Sequence, residues 1–390
     1  MNNNNRNNNN RVVACRDYSR GKEQESIAFE DLWQAYSLCK HNKSNKFTSK
    51  KYEMHAILNI EKTRRELENR TWTPSRHVSF IVKEPSLREV FACSFSDRVV
   101  HHFAMTLLNP VIEKALIYDT ASCRVGKGID FAVKRASTFI KRERSKYGEV
   151  YFLKKDVSGF FMSIDREILL KRSMDLLNSK YRGEHVEVLR YLLPLFILPD
   201  VTKDAIRVGD TSLWDKLPER KTLYGKKTGL PIGNLPSQIF ANLILSDMDH
   251  TVKHYAPCYS RYVDDIVVVS HDKDLLKKID RLIDVKLQEI HMRSNLRKRA
   301  LASANLGVHF LGKNIYPDYI VYHPTVIARC FSKTREKKTV EDVYKSLSCR
   351  RSMVSLYSGR NVLFRLYNSL PFSVREHLKM DSQGHFHLIY

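Results

Sequence analysis

Residues 262–265 read Tyr-Val-Asp-Asp, and residues 266–269 continue as Ile-Val-Val-Val. An apolar, β-branched run is typical of a buried strand. Two adjacent carboxylates at the start of such a strand lose hydration, which costs free energy unless a cation neutralises them. A pair of divalent metal ions held by oxygen ligands would do so. An Asp-Asp pair is also common in hairpin turns. Other segments of the sequence are therefore needed to distinguish a metal site from a plain turn.

The composition predicts a folded protein with a polyanionic partner. The chain has 390 residues, of which 43% are hydrophobic, so it can bury a sizeable core in two or three domains or subdomains. Lys and Arg number 66 against 43 Asp and Glu, a net charge of +23. This excess indicates nucleic acid or an anionic membrane surface. No apolar stretch approaches the roughly 20 residues of a membrane span, so we expect nucleic acid and no membrane.

The cysteines and histidines give little sign of a metal site. Seven cysteines are dispersed without a Cys-x-x-Cys pair, which is typical of reduced thiols in a cytosol, and no secretion signal is visible. We therefore expect a cytoplasmic protein. His250 and His254 stand beside Asp247 and Asp249 at helical spacing. Because no metalloprotease-type motif surrounds them, we expect these four side chains to form a solvated polar helix face.

Three segments together favour the metal site over the plain turn. A short apolar strand over residues 149–153 leads to Asp156, and the hairpin with Asp264 and Asp265 follows more than 100 residues later. Carboxylates from two neighbouring strands can surround two ions, which a single turn cannot. Between them, residues 230–238 form a loop with Gly233 that precedes a helix. A glycine there lets the backbone approach a nucleotide closely.

The chain here resembles the reverse transcriptases. Residues 156–161 (Asp-Val-Ser-Gly-Phe-Phe) are similar to the first palm motif of that family, residues 262–265 to its signature turn, and residues 309–312 (His-Phe-Leu-Gly) to its primer grip. The motifs occur in the family's order over about residues 80–320. Within the family, residues 229–238 look like the bacterial branch of diversity-generating retroelements and phage-defence enzymes. Residues 94–102 and 122–128 support this placement.

The resemblance implies a role for particular residues. Asp156, Asp264 and Asp265 would be the catalytic carboxylates and would hold two Mg²⁺ ions, with Mn²⁺ as an alternative metal. The backbone carbonyl of Val157 would be a further metal ligand.

The resemblance also implies a set of nucleotide-binding residues. Phe161 matches the steric gate that excludes a ribose 2′-hydroxyl, although a core aromatic would look the same. Lys83 and Arg88 match the cations that grip the incoming triphosphate. Lys298 would be a proton donor to pyrophosphate, with a phosphate-tracking or plain surface lysine as the alternative. Gly233 and Gln238 belong to the nucleotide-facing loop.

The chain departs from the wider family in this loop. Many members carry Gln where Ile232 stands and Pro where Gln238 stands. An apolar residue at position 232 removes a hydrogen-bonding group near the nascent base pair. We therefore hypothesise that some template bases are misread.

The implied fold is α+β, a right-hand polymerase with fingers, a palm with an antiparallel sheet, and a short helical thumb. We expect an Asn-rich tail over residues 1–20, an N-terminal extension and fingers over 21–146, and palm over 147–169. A fingers connection would follow over 170–229, palm again over 230–318, and a basic helical thumb over 319–390. Locally, the pattern predicts a helix ending before Pro110 and one continuous helix over residues 238–254.

The expected function is RNA-directed DNA synthesis. The enzyme would copy a structured noncoding RNA into cDNA from a DNA or RNA primer with deoxynucleoside triphosphates (dNTPs), in the bacterial cytoplasm. Two settings stay open: a diversity-generating retroelement, which predicts a small basic accessory protein, or anti-phage defence with other system proteins. A nucleic-acid-binding scaffold with a non-catalytic palm is the alternative.

Overall fold

The computed structural model describes residues 25–41, 47–84, 86–350, 359–382 and 384–389. The expected Asn-rich tail over residues 1–20 lies outside these ranges. The described helices are α1 Phe29–Lys40, α2 Phe47–Glu53, α3 Ala56–Glu68, α4 Phe95–Ala115, α5 Ile129–Tyr147, α6 Phe160–Ser163, α7 Arg166–Lys180, α8 Val186–Ile197, α9 Leu235–Leu243, α10 Ser246–Tyr255, α11 Lys273–Gln288, α12 Pro324–Arg335, α13 Val340–Ser348, α14 Gly359–Asn368 and α15 Phe372–Arg375.

The strands form four antiparallel or mixed sheets within the described ranges. The strands are β1 Val78–Val82, β2 Arg88–Ala92, β3 Tyr151–Asp156, β4 Ile206–Arg207, β5 Tyr259–Tyr262, β6 Asp265–Ser270, β7 Ala300–Ser303, β8 Val308–Phe310, β9 Lys313–Ile315, β10 Ile320–Tyr322, β11 Leu378–Met380 and β12 Phe386–Leu388. Their spatial orders are β5-β6-β3-β7, β2-β1-β4, β10-β9-β8 and β11-β12.

The four-stranded sheet lies between two helical layers. The β6 side chains alternate in direction, so that Ile266 and Val268 face the main core with α4, α7 and α11, while Val267 and Val269 face a second core with α5. All four side chains are buried. Because β6 is covered on both faces, its sequence is a continuous apolar run rather than an alternating one.

A smaller sheet stands beside this core. Strands β1 and β2 form an antiparallel hairpin in which Val82 is opposite Arg88. Strand β4 joins the hairpin in parallel to β1. The loop between β1 and β2 therefore projects from the end of the sheet, with Lys83 and Arg88 at its base.

Two helix predictions were wrong in detail. Helix α4 continues past Pro110 to Ala115. The proline removes one backbone hydrogen bond of the helix, and the burial of the neighbouring side chains Leu108 and Ile112 offsets this loss. The predicted single helix over residues 238–254 is two helices that meet at Ile244. The Arg172 guanidinium donates to the Ile244 carbonyl at 2.6 Å, which satisfies a backbone acceptor at the break.

The segment after residue 319 contains helices α12, α13, α14 and α15, as the pattern predicted, together with strands β10, β11 and β12. Helices α13 and α14 pack with the β11–β12 hairpin around a separate small core that includes Leu347, Leu363 and Phe386. Among the helices of the described residues, none is long and apolar enough to cross a membrane.

Candidate active site

The carboxylates of the predicted site come together at one end of the four-stranded sheet. Strand β3 ends at Asp156 and strand β6 begins at Asp265, and the two residues are direct partners in the antiparallel ladder. Such partners have Cα atoms about 4.5–5.5 Å apart. Asp264 lies in the two-residue turn between β5 and β6. The sheet therefore brings Asp156, Asp264 and Asp265 to the same edge.

The three carboxylates repel one another in a poorly solvated place. Burial, followed by the charges of Asp156 and Asp265, raises the pKa of Asp264 to about 7. Burial also raises the pKa of Asp265, and Asp156 adds to this rise, while Lys154 and Lys298 oppose it. A cluster with raised carboxyl pKa values lacks sufficient positive charge. A divalent cation would supply it, and oxygen ligands of this kind are those that Mg²⁺ prefers.

Asp156 already has two partners from the segment before β7. Lys298 Nζ lies 2.6 Å from one carboxylate oxygen and Asn295 Nδ2 lies 3.0 Å from the other. Asp156 is 3% exposed, and the Lys298 side chain is 56% exposed. Across the described ranges, no three His, Cys, Asp or Glu side chains are arranged as a ready metal-binding group. A metal ion would therefore compete with Lys298 for Asp156.

The same segment holds the backbone after Asp156. The amide of Ser158 donates to the Arg293 carbonyl at 2.9 Å, and the amide of Asn295 donates to the Asp156 carbonyl at 2.7 Å. Neither hydrogen bond involves the Val157 carbonyl, which accepts no hydrogen bond from any described residue. A free carbonyl next to the carboxylates fits the ligand role that the resemblance implies for Val157.

The turn that carries Asp264 has a strained backbone that the surrounding structure holds in place. Val263 has φ of 55°, which is uncommon for a β-branched residue. Its carbonyl accepts a hydrogen bond from Arg261 Nη1 at 2.8 Å, and its amide donates to Ser122 Oγ at 3.2 Å. Both polar groups of the Val263 residue are therefore fixed, which positions the following carboxylates.

Arg261 is anchored in turn by a buried carboxylate. Arg261 and Asp249 are both fully buried and form a two-pronged ion pair, with Nε 2.8 Å and Nη2 2.6 Å from the carboxylate. Tyr259 and Thr120 also donate to Asp249, at 2.5 Å and 2.9 Å. Asn242 connects the network to the turn, since its side-chain oxygen accepts from Ser122 Oγ at 3.0 Å.

This network corrects the expectation of a solvated face on helix α10. Asp247, His250 and His254 are exposed as expected, but Asp249 is not. Its position between the buried residues Met248 and Val252 turns it toward the sheet. Burial is tolerated because every oxygen of the carboxylate meets a donor.

The glycine loop is packed tightly between the first carboxylate motif and the β1–β2 hairpin. The amide of Leu230 donates to the Phe161 carbonyl at 2.8 Å, and the amide of Phe91 donates to the Ile232 carbonyl at 2.8 Å. Gly233 has φ of 125°, and a side-chain carbon there would lie 2.7 Å from the Phe91 carbonyl oxygen. The buried Arg166 guanidinium donates to the Gly229 carbonyl at 2.8 Å. The loop thus has little freedom to move.

The remaining predicted residues lie on three further segments: the helix after Asp156, the glycine loop with α9, and the β1–β2 hairpin. Phe161 is half-buried five residues after Asp156 and packs edge-on against Phe160, with ring centroids 5.5 Å apart. Gly233 and Gln238 are exposed at the start of α9. Arg88 and Lys83 are exposed at the hairpin. No contact within the described residues joins Lys83 to the carboxylates.

Sequence reasoning missed the residues that support the site from behind. No motif pointed to a role for Asn295, Arg166 or the Arg261–Asp249 pair, and Ser122 was noted only as part of the supporting segment 122–128. One signal was present, since Asp249 lies between Met248 and Val252 on a helix and Arg261 lies in a strand next to the Asp264–Asp265 turn. Charged residues that become buried are normally paired, so each indicated a partner. The identity of the partner required the fold.

Comparison with known proteins identifies the class of the chain. The family described as reverse transcriptase (RNA-dependent DNA polymerase) matches residues 81–315, more than half of the chain. The chain therefore belongs to the reverse transcriptase family. The expected α+β fold of a right-hand polymerase is confirmed, and the matched range contains all three carboxylates. A search of curated proteins found no match.

Solved structures of telomerases are similar to this chain at low identity. Telomerase from Candida albicans in complex with a TWJ fragment of telomeric RNA has 12% identity and a TM-score of 0.46, covering 75% of this chain and 55% of that one. Telomerase from Candida tropicalis with the same type of fragment has 14% identity and a TM-score of 0.46, covering 84% and 59%. The chain spans less than two thirds of the length of these structures.

Proposed function

We propose that this protein is an RNA-directed DNA polymerase that copies a structured noncoding RNA into cDNA. One observation carries the proposal: Asp156, Asp264 and Asp265 converge at one edge of a sheet in a chain of the reverse transcriptase family. Raised carboxyl pKa values mark this edge as short of positive charge. Nucleotidyl transfer requires such a cluster to hold divalent ions.

The protein's own residues would position the reactants. Two Mg²⁺ ions, or Mn²⁺ in their place, would be held by the three carboxylates and the Val157 carbonyl, and would lower the pKa of the primer hydroxyl and neutralise phosphate charge. The Arg261–Asp249 pair fixes the turn, and Asn295 orients Asp156. Lys298 stands 2.6 Å from Asp156, where it would donate a proton to the departing pyrophosphate.

Specificity for deoxynucleotides would come from Phe161 and the glycine loop. The Phe161 ring is half-exposed next to the first carboxylate motif, and its carbonyl is tied to Leu230. A ring held in this way would exclude a 2′-hydroxyl on the incoming sugar. Gly233 and Gln238 would face the nascent base pair, and Lys83 and Arg88 would approach the triphosphate.

The cellular setting rests on the motif resemblance of residues 229–238 to the bacterial branch. The proposed place is the bacterial cytoplasm, in a diversity-generating retroelement or an anti-phage defence system. A small basic accessory protein and a variable-repeat gene beside the locus would favour the first, and their absence would favour the second. The proposed domain boundaries are those given above, with palm over residues 147–169 and 230–318.

Primer extension on an RNA template tests the proposal. We expect the wild-type protein to extend a DNA primer with dNTPs and Mg²⁺, and the double variant Asp264→Ala, Asp265→Ala to give no product. Asp247→Ala is the matched control, because Asp247 is an exposed carboxylate on helix α10 outside the site.

Equal product from the wild-type protein and the double variant would show that the carboxylates are not the source of synthesis. No product from either, with RNA binding retained, would favour the non-catalytic scaffold. Sequencing the RNA that copurifies with the protein would then identify the template.

A further inference from the structure

A short turn in the connection before the glycine loop bridges two parts of the proposed active site. The turn is a 3₁₀ helix over Glu219–Lys221. On one side, a side-chain carbon at Gly159 would lie 3.0 Å from the Arg220 carbonyl oxygen, and Gly159 is three residues after Asp156. On the other side, Lys221 Nζ lies 3.4 Å from both the Ser86 hydroxyl and the Leu87 carbonyl.

This placement brings unpaired cations to one space. Partial burial first, and then the charges of Arg220, Arg88 and Lys298, lower the pKa of Lys221. Lys298 is paired with Asp156, but no ion pair among the described residues involves Arg88, Arg220 or Lys221. We call these last three residues the cation cluster. Like charges that converge without a protein anion repel one another, and a bound anion relieves this cost.

The position of the cluster indicates which anion it receives. The Arg220 carbonyl lies against Gly159, three residues after Asp156, and the charge of Lys298, whose ammonium group touches the Asp156 carboxylate, also acts on Lys221. On the other side, Lys221 contacts Leu87, the residue before Arg88 at the base of the β1–β2 loop. Lys221 therefore lies between the motif that carries Asp156 and the β1–β2 loop, next to the proposed site of nucleotidyl transfer. A backbone phosphate of the template RNA is also an anion that the cluster could bind. The triphosphate is favoured because it must lie next to the catalytic carboxylates during the reaction, whereas a template phosphate does not have to.

We propose that Lys221 is an additional ligand for the triphosphate of the incoming nucleotide, and that Arg220 supports it. The inference rests on the proposed function. Lys221 contacts the Ser86–Leu87 backbone and side chain, so its ammonium group is held at the hairpin in the absence of a ligand. The nucleotide would then be gripped from three segments of the chain: the hairpin, the connection and the segment before β7.

Lys221→Gln tests this role, with Lys216→Gln as the matched control. Lys216 is an exposed lysine five residues earlier in the same connection. In single-nucleotide incorporation on an RNA template, we expect Lys221→Gln to raise the KM for dNTP about tenfold, the loss expected for one charge-assisted contact. The kcat value should change less than about twofold, the template-primer Kd should not change, and Lys221→Arg should recover most of the effect.

Folding and binding controls separate the outcomes. The thermal melting curve of Lys221→Gln should match the wild-type curve, and inorganic tripolyphosphate should stabilise the wild-type protein more than the variant. An unchanged KM for dNTP with an active wild-type enzyme would overturn this inference alone. A weaker template-primer Kd with unchanged KM would assign Lys221 to the RNA backbone and also overturn it. An inactive wild-type protein would instead contradict the proposed function itself.

Discussion

The turn that carries Asp264 and the cation cluster are built in contrasting ways. The turn is held by Arg261, which is fully buried and donates to Asp249, Asn242 and the Val263 carbonyl. The cation cluster is exposed or half-buried, and none of its members has an ion pair among the described residues. The buried arginine that supports the turn is therefore paired with a carboxylate, whereas the cations of the cluster have no anionic partner among the described residues.

The roles that we propose for the two regions would explain the difference. Carboxylates that hold metal ions have to be placed before the substrate arrives, and a strained turn stays in place only if buried bonds hold it. Cations that receive a triphosphate have to remain free for it. Substitutions in the first region should therefore reduce stability, and substitutions in the second should reduce nucleotide affinity alone.

Arg261→Met is expected to have the largest effect on stability. The substitution leaves the Asp249 carboxylate buried without a counterion, so the free energy of unfolding should fall by about 3–5 kcal/mol. Denaturant unfolding followed by tryptophan fluorescence measures this. The control is Arg281→Met, which replaces an exposed arginine on helix α11 and should change stability by less than about 0.5 kcal/mol. Equal midpoints for the two variants would contradict the anchoring role of Arg261.

Gly233→Ala should come next in size. The backbone there has φ of 125°, and the new carbon would lie 2.7 Å from the Phe91 carbonyl oxygen. We expect a loss of about 1–3 kcal/mol of stability from backbone strain, together with reduced primer extension because the loop must shift. Gly128→Ala is the control, since its surroundings are open. A Gly233→Ala protein with the melting temperature and activity of the control would show that the loop is not tightly packed.

Arg88→Gln should leave stability unchanged and weaken nucleotide binding. Arg88 is exposed and forms no ion pair with a described residue, so its loss costs the folded state little. The KM for dNTP should rise about tenfold, which steady-state incorporation on an RNA template measures. A fall in melting temperature without a change in KM would contradict the role of Arg88 in nucleotide binding, because it would show that Arg88 stabilises the fold instead.

Ile232→Gln is expected to have the smallest effect. The Ile232 side chain packs against the small core of Phe91, Met162 and Leu223, so a glutamine should reduce stability by about 1 kcal/mol. We also expect fewer misincorporations, because an amide near the nascent pair restores a hydrogen-bonding group. Sequencing of the cDNA measures the error frequency, and an unchanged frequency would remove Ile232 as a determinant of fidelity.

Local sequence patterns predicted the elements that carry the three carboxylates. The run of β-branched residues after Asp265 specifies strand β6, and the Asp-Asp turn specifies the hairpin. Patterns within a helix were less informative: at the break, the Ile244 carbonyl accepts a hydrogen bond from Arg172, which is 72 residues away in the sequence.

Apart from the convergence of Asp156 with Asp264 and Asp265, contacts between distant segments could not be predicted from the sequence. Thr120 and Asp249 are 129 residues apart, and Lys221 and Ser86 are 135 apart. The sequence gives the charge of each residue but not its neighbours. The support of the turn and the cation cluster therefore became visible only in the fold.

Cleavage of the protein chain by bound Fe²⁺ tests the central claim most directly. Fe²⁺ in a metal site generates hydroxyl radicals that cut the nearby backbone, so in the presence of ascorbate we expect cuts near residue 156 and near residues 264–265. Excess Mg²⁺ should suppress both. Cuts at only one of these segments, or cuts that Mg²⁺ leaves unchanged, would contradict a shared metal site of Asp156, Asp264 and Asp265.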